Sequence, residues 1–292
     1  MLPVYSPSQT LSWAECPMKR RLSKQGWLPK VADNRLLGCL FGAAVARGLA
    51  AWRSLEDSPS SRAGDSLAAA HALLTTEYQQ YQQVGVVFED TALGDITQDV
   101  TTLLTKYPEH DPLGSFTILD GGVELDLGED YGHARVDVLA KDAFGNHAII
   151  DDKAKRRLEA RWVPNETARY EHDWKMNHYC WAVSEKLGVP VTHYYINLIV
   201  LAPRFSVTLY PYAAYGGQTR DWWEASARRY WGQMAREDVL GDDYTPSMAV
   251  SHRTPFGWCP YKDACLTYRL DPALMATGYA RVETKETHAS AV

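Results

Sequence analysis

The stretch that decides the fold is ARVDVLAKDAFGNHAIIDDKAKRR, residues 134–157. Two apolar runs, ARVDVLA and HAII, flank the polar, glycine-containing segment DAFGN. This pattern predicts two antiparallel strands joined by a tight turn. Asp137 lies in the first strand, and Asp151 directly follows the second apolar run. We therefore expect the two carboxylates to face each other across the hairpin.

Lys153 follows Asp151 by two residues. Because side chains alternate along a strand, both residues are expected on one face. Converging carboxylates repel unless a cation lies between them, and their oxygens suit Mg²⁺ or Mn²⁺. A lysine beside such a site would orient a water or stabilise charge on a phosphate, which indicates metal-assisted phosphodiester hydrolysis. The alternative is a solvated, charged strand edge that blocks aggregation.

Helices and further strands are predicted around this hairpin. The helices are expected through LSWAECPMKRRL, with a break at Pro17, and over 34–52, 66–82, 91–105, 169–187 and 219–237, with a loop over 57–65. The other strands are FTILD and VELDL, joined by a glycine pair at 121–122, and HYYINLIVLA and FSVTLYPY. This order predicts an α/β fold with a central mixed sheet flanked by helices. GxGxxG and GxxxxGK[ST] are absent from the sequence, which excludes the common dinucleotide and P-loop sites.

The chain of 292 residues fits one elaborated domain. Its expected regions are a helical N-terminal region (1–110), a core (111–215), a C-terminal helix and cysteine segment (216–276) and a flexible tail (277–292). No signal peptide is recognisable, and the apolar run 36–46 is about half a membrane span. We expect a cytoplasmic protein that does not enter a membrane.

The net charge of −6 argues against a protein that coats nucleic acid through bulk charge. Local basic runs remain, at 18–24, 153–161 and 226–231. The side chains predicted to contact DNA are Lys155, Arg156, Arg157 and Lys175. The aromatic candidates for stacking on bases are Trp162, Tyr170, Trp222 and Trp223, for which burial in the core is the alternative interpretation.

The segment 134–157 resembles the PD-(D/E)xK nuclease superfamily, in particular its RecB-like branch, which includes CRISPR-associated and phage exonucleases. The resemblance implies a restriction-endonuclease-like core. It implies that Asp137 and Asp151 are metal ligands, that the backbone carbonyl of Asp152 is a third ligand, and that Lys153 is the catalytic lysine.

Two further motifs of that family are matched only in part. In DWKMNHYCWAV, Tyr179 matches the tyrosine of Q-x-x-x-Y, which makes it a further catalytic candidate, but Lys175 replaces the glutamine. The alternative is an ordinary amphipathic helix. Ala46 stands where the early helix of the family often carries a metal-binding histidine. The resemblance offers Glu77 and Glu89 as replacements by region alone.

The five cysteines do not fit a small secreted disulfide scaffold, because their number is odd and their spacing wide. Cys16, Cys259 and Cys265 match three of the four positions that hold a 4Fe–4S cluster in many RecB-like nucleases. Phe256 stands at the fourth, which leaves His252, Cys180 or Cys39 to complete an iron–sulfur or zinc site. The alternative is a reduced packing cluster. In either case the match implies that the N- and C-terminal segments meet.

The resemblance covers about residues 6–267 and implies a Mg²⁺- or Mn²⁺-dependent DNA nuclease. The expected task is exonucleolytic processing of DNA ends in recombination, repair or phage replication, with a recombination or replication protein as a partner. One alternative is a catalytically decayed nuclease fold that serves as a nucleic-acid-binding or protein-interaction module. The other is a structure-specific endonuclease.

Overall fold

The computed structural model describes residues 4–54, 59–120, 125–240, 253–254, 257–266 and 270–282. The helices are α1 (Pro7–Glu15), α2 (Pro17–Lys24), α3 (Asn34–Ser54), α4 (Pro59–Gln83), α5 (Ala92–Lys106), α6 (Val163–Ala168), α7 (Trp174–Leu187), α8 (Gly217–Leu240), α9 (Lys262–Leu266) and α10 (Pro272–Gly278). The strands are β1 (Trp27–Pro29), β2 (Thr117–Asp120), β3 (Leu125–Asp126), β4 (Arg135–Val136), β5 (Val138–Lys141), β6 (His147–Arg157), β7 (Val191–Ala202), β8 (Ser206–Ala213), β9 (Arg253–Thr254), β10 (Gly257–Trp258) and β11 (Tyr279–Arg281).

Five strands form the central sheet in the order β2-β5-β6-β7-β8. Only β6 and β7 run parallel to each other within it, and the other neighbouring strands are antiparallel. A parallel pair needs a long crossover, which here contains α6 and α7. The predicted α/β fold with a mixed sheet between helices is therefore confirmed.

The two faces of the sheet are covered by different helices. On one face, Ile149 of β6 and Ile196 of β7 pack with α7 and α8. On the other, Ala154 of β6 and Ile199 of β7 pack with α3, α4 and α5. Because side chains alternate along β6, Asp151 belongs to the α7 face and its neighbour Asp152 to the α3 face.

The N- and C-terminal segments meet beside this core. Strand β1 pairs with β11 in an antiparallel ladder. The Tyr261 hydroxyl donates a hydrogen bond to the Trp27 carbonyl oxygen at 2.9 Å. Met18 and Leu22 of α2 pack against Tyr261 and Tyr279, so residues far apart in the sequence share one apolar cluster.

The prediction of a loop over 57–65 is wrong from Pro59 onward, because α4 begins at that residue. The reason is tertiary packing of α4 along α3. Ser66 of α4 is buried, and its hydroxyl donates to the Gly48 carbonyl oxygen at 2.8 Å. A Cβ at Gly48 would lie 3.1 Å from the Ser66 carbonyl oxygen, so the glycine permits this close approach. The polar residues of this stretch predict a loop, because the contact with α3 cannot be recognised from the sequence nearby.

The predicted hairpin between FTILD and VELDL is also not found among the described residues. Strand β2 pairs with β5, whereas β3 pairs with β4. The glycine pair at 121–122 lies outside the described residues. Pairing with β5 brings Ile118 of β2 against the buried side chains of Val138 and Ile150, which is the apolar contact that this strand needs.

One described helix, α3, is long and apolar enough to cross a membrane by length and composition alone. In the fold it packs on α4, α5 and β6. Leu40, Phe41, Val45 and Leu49 form its buried stripe.

Candidate active site

Asp137 and Asp151 come together where β5 and β6 begin to separate. The register pairs Val138 with Ile150, which places Asp137 opposite Asp151 at the next position. Asp137 is partly buried and Asp151 is buried. Asp137 Oδ2 accepts a hydrogen bond of 2.8 Å from the backbone N–H of Asp152. The hairpin thus holds two carboxylates side by side, as its turn and periodicity predict.

The two carboxylates have opposite pKa shifts. Burial, together with the neighbouring Asp151 and Asp152, raises the pKa of Asp137 to about 7, although Lys153 and Lys175 oppose this rise. Burial also opposes the charge of Asp151, but Lys153 and Lys175 together hold the pKa of that carboxyl below its usual value. At neutral pH Asp151 is therefore ionised, while Asp137 keeps its proton in part of the molecules.

Two lysines approach Asp151 from different elements. Lys153 of β6 forms an ion pair with Asp151 Oδ2. Lys175 of α7 lies 3.5 Å from Asp151 Oδ1, and its Nζ lies 5.2 Å from the centre of the Tyr179 ring. Burial lowers the pKa of Lys175, but Tyr179, Asp151 and Asp137 raise it well above the usual value. Lys175 is therefore a permanent cation at the site.

Helix α7 positions Lys175 and Tyr179 because its start is fixed. Asp173 caps the helix, and its side chain accepts the Met176 backbone N–H at 2.9 Å. Lys175 and Tyr179 are four residues apart, so they lie on one face, next to Asp151. Met176 and Val183 are buried in the core. The helix is amphipathic, and the same helix brings a lysine and a tyrosine to the carboxylates.

Asp152 points to the other face of the sheet, where it accepts three hydrogen bonds. Arg53 at the end of α3 donates to both carboxylate oxygens, at 2.5 and 2.9 Å, and Asn197 Nδ2 donates at 2.8 Å. The Tyr107 hydroxyl accepts from Arg53 at 3.2 Å and from Asn197 at 3.1 Å. Arg53 and Asp152 expose only 4% and 2% of their side chains, so their charged groups are largely shielded from water.

Arg53, Asn197 and Tyr107 are not among the sequence-predicted site residues. The available signal was Asn197, a lone amide in the apolar strand HYYINLIVLA. A buried polar side chain in a central strand needs a partner, and Asp152 lies directly opposite in the ladder. Nothing local in the sequence indicates that Arg53 completes the pair.

A cleft of about 830 Å³ opens beside the carboxylates. Its walls are α3, α4 and the β3–β4 hairpin, and its lining residues include Ala46, Glu77, Asp137 and Asp152. Ala46 thus faces the site, as the resemblance implies for the residue at the histidine position. Of the two glutamates considered as replacements, Glu77 lines the cleft and Glu89 does not.

The donor chemistry of Asp137 and Asp151 fits a hard divalent cation. Mg²⁺ keeps several waters and is often held by one or two carboxylates, so two aspartates can suffice. The pKa of Asp137 is raised mainly by burial and in part by the neighbouring Asp151 and Asp152, and a bound cation would relieve the repulsion among these carboxylates. Within the described part of the chain, no group of three or more His, Cys, Asp or Glu side chains is arranged to hold a metal.

Three of the four basic residues predicted to contact DNA, Lys155, Arg156 and Lys175, form ion pairs within the protein. Lys155 lies 2.9 Å from Glu166, and Arg156 lies 2.6 Å from Asp99. Both lysine and arginine are partly exposed, and Arg157 is exposed. Their role in DNA binding stays a prediction.

The aromatic candidates for base stacking divide into two pairs. Trp162 and Trp222 are exposed over half of their surface, at 51% and 62%. Tyr170 and Trp223 are buried, so neither presents a ring face to a base. For these two residues the stacking hypothesis is wrong, because both belong to the apolar core on the α7 face.

Cys16, Cys259 and Cys265 pack against the apolar cluster that joins the two terminal segments. Burial, together with the neighbouring Cys16 and Cys259, raises the pKa of Cys265 to about 11. Burial also raises the pKa of Cys259, so the thiols of Cys259 and Cys265 stay protonated at neutral pH unless a metal displaces the protons. Cys180 is buried in α7 and Cys39 is exposed on α3. His252 and Phe256 lie outside the described residues.

Comparison with known proteins finds no family model that matches this chain. It also finds no curated protein with significant sequence similarity. The function must therefore be argued from the geometry of the Asp137–Asp151–Lys153 site.

Proposed function

We propose that the protein is a divalent-metal-dependent DNA nuclease of the RecB-like PD-(D/E)xK type, which acts on DNA ends. The observation that carries the proposal is the meeting of Asp137, Asp151 and Lys153 at one point of the β5–β6 hairpin, beside an open cleft. A buried carboxylate pair next to a lysine is an unusual electrostatic arrangement, and such arrangements are concentrated at functional sites.

The chain topology supports a restriction-endonuclease-like core. Strands β2, β5 and β6 are antiparallel neighbours, and α7 leads to β7, which runs parallel to β6. Helix α3 covers the other face of the sheet. This arrangement suits the proposal because it places the residues of the hairpin, of α3 and of α7 at one end of the sheet.

Each site residue has a role in the proposed reaction. Asp137 and Asp151 would hold Mg²⁺ or Mn²⁺, with the backbone carbonyl of Asp152 as a further ligand. The bound ion would polarise the phosphoryl oxygen and lower the pKa of a water. Lys153 would orient that water and stabilise the charge that develops on the phosphate. Lys175 and Tyr179 would keep Asp151 in place.

The test is a cleavage assay with end-labelled linear DNA and circular single-stranded DNA, with Mn²⁺ or with EDTA. We expect Mn²⁺-dependent loss of the linear substrate and persistence of the circle. Lys153→Ala should abolish cleavage, whereas Lys141→Ala, at the other end of the same hairpin, should leave it intact. Equal activity in Lys153→Ala and the wild type would overturn the mechanism. Cleavage of the circle would instead support the endonuclease alternative.

One observation favours the second candidate, a decayed nuclease fold that binds nucleic acid or protein. Lys153 and Lys175 already neutralise Asp151, and Ala46 supplies no ligand. Such a site can hold a phosphate without cutting it. Binding of DNA in Mn²⁺ with no cleavage of any substrate, over the protein concentrations at which binding saturates, would favour this candidate.

A further inference from the structure

Both carboxylate oxygens of Asp151 contact a lysine. Lys153 of β6 pairs with Oδ2, and Lys175 of α7 lies 3.5 Å from Oδ1. Asp151 is buried, so its charge depends on these partners for compensation. A divalent cation needs such an oxygen in its own coordination sphere, at about 2.0–2.1 Å for Mg²⁺. A cation that approaches Asp151 therefore meets a lysine at the oxygen that it requires.

Of the two lysines, Lys175 is the one placed to give way. Its distance of 3.5 Å from Asp151 is longer than the roughly 2.7–2.9 Å of a strong charge-assisted hydrogen bond. Its side chain is 31% exposed, so the ammonium group has access to water. Its Nζ also lies 5.2 Å from the centre of the Tyr179 ring, within the range of a cation–π interaction. Lys175 thus contacts Asp151 loosely and has a second partner that does not depend on Asp151.

Resting on the proposed function, in which Asp137 and Asp151 hold the metal, we propose that Lys175 sets the affinity of the site for the divalent ion. Its positive charge repels the ion, and its Nζ competes with the ion for Asp151 Oδ1. The ion has to displace this contact in order to bind, which weakens metal binding relative to a site with a neutral side chain in the place of Lys175. Lys175 is then a positioning residue that controls metal loading, a role distinct from the DNA contact predicted from the sequence.

The test is Mn²⁺ binding in the absence of DNA, measured from the EPR signal of unbound Mn²⁺. Lys175→Gln should bind Mn²⁺ at least about tenfold more tightly than the wild type, because a like charge beside the ion is removed. Lys175→Arg keeps the charge and should keep the wild-type affinity. Unchanged or weaker Mn²⁺ binding in Lys175→Gln, or equally tight binding in Lys175→Arg and Lys175→Gln, would overturn the proposal.

Lys186→Gln is the matched control. It removes the same charge from the same helix, roughly 16 Å further along α7, and Lys186 contacts only the backbone carbonyl oxygens of Asp126 and Leu127 among the hydrogen bonds of the described residues. A charge at that distance is largely screened, so the affinity for Mn²⁺ should stay at the wild-type value. An equal gain in affinity in Lys186→Gln would show a general effect of net charge and refute the specific role of Lys175.

Thermal unfolding separates this role from a merely structural one. Lys175→Gln takes one partner from the buried Asp151, so in EDTA the variant should unfold at a lower temperature than the wild type. Mn²⁺ should then raise its unfolding temperature by more than it raises that of the wild type, because the variant binds the ion more tightly. An equal rise in both proteins would refute the proposal. If Lys175→Gln does not fold, Lys175→Met serves in its place, since it keeps the unbranched stem and removes the charge.

The two proposals fail separately. Mn²⁺-dependent cleavage by the wild type, together with equal Mn²⁺ affinity in Lys175→Gln, would refute only the role of Lys175. Tighter Mn²⁺ binding in Lys175→Gln, with no cleavage of DNA by the wild type, would support the role of Lys175 and refute the nuclease. Failure of every variant to bind Mn²⁺ would refute the metal site and both proposals with it.

Discussion

Asp151 and Asp152 are consecutive residues of one strand with opposite surroundings. Asp151 faces α7 and is paired with Lys153 and Lys175, whose side chains are 28% and 31% exposed. Asp152 faces α3 and is bound by Arg53, Asn197 and the buried network around them. Lysines on flexible stems can move aside for a ligand, whereas a bidentate arginine pair that is largely shielded from water is fixed. In the proposed reaction Asp151 would hold the metal, whereas the side chain of Asp152 fixes the strand to α3.

The largest expected effect on stability comes from removing Arg53, which holds Asp152 on the α3 face. Arg53→Ala leaves Asp152 buried without its cation, which typically costs about 3–5 kcal/mol of unfolding free energy. Urea unfolding of the metal-free protein measures this loss. Arg47→Ala, an exposed arginine on the same helix, is the control and should change stability by no more than about 0.5 kcal/mol. A loss below about 1 kcal/mol in Arg53→Ala would contradict a structural role for the network.

Replacing Asp151 and Asp152 with asparagine, one at a time, tests whether the two carboxylates have different roles. Asp151→Asn should lower the cleavage rate by roughly 10²–10³-fold, because an amide is a poor ligand for a hard cation and carries no charge. Asp152→Asn should mainly lower stability, since Arg53 keeps its burial but loses its counterion. Single-turnover cleavage and urea unfolding of both variants separate these effects. Equal decreases in cleavage rate and in stability for the two variants would contradict different roles for Asp151 and Asp152.

The α7 face should respond to acid through His178. Burial lowers the pKa of His178 to about 4, and its Nδ1 has no hydrogen-bond partner in the described structure. The unfolded chain therefore binds the proton more tightly between pH 4 and 6.5, so stability rises with pH across that window. Lowering the pH from 7 to 5 should cost about 2 kcal/mol through this residue.

His178→Gln tests this assignment, because its amide can still donate to the Tyr131 carbonyl oxygen that His178 Nε2 contacts at 3.0 Å. Urea unfolding at both pH values should show a smaller acid loss in the variant than in the wild type. Identical pH dependence in the two proteins would rule out His178 as the cause.

The last effect concerns the free-energy cost of keeping Asp137 buried beside Asp151. The pKa of Asp137 rises from 3.8 to about 7 on folding, so the folded state binds its proton more tightly and stability falls as the pH rises through this range. Asp137→Asn should therefore stabilise the metal-free protein at pH 8, while it abolishes cleavage. Thermal unfolding in EDTA at pH 8 and pH 4 measures the gain, which should vanish at the lower pH. A variant less stable than the wild type at pH 8 would contradict a net cost of the buried charge on Asp137.

Local sequence patterns predict the β5–β6 hairpin and the site that it carries. The DAFGN turn and the alternation of side chains in residues 134–157 predicted the hairpin, its register and the meeting of Asp137, Asp151 and Lys153. These predictions depend only on interactions between residues close in sequence. Helices α3 and α5 were also recognisable, because their apolar periodicity is strong.

Only the tertiary structure determines which distant residues surround the hairpin. Arg53 reaches Asp152 across 99 residues of sequence, and the cleft exists only because α3 and α4 pack side by side next to the sheet. The burial of Tyr170 and Trp223 likewise depends on how α7 and α8 cover the sheet. The alternation of side chains along a strand determines which face of the sheet a residue lies on. Its contact partner on that face belongs to an element distant in sequence, and local periodicity does not predict which residue that is.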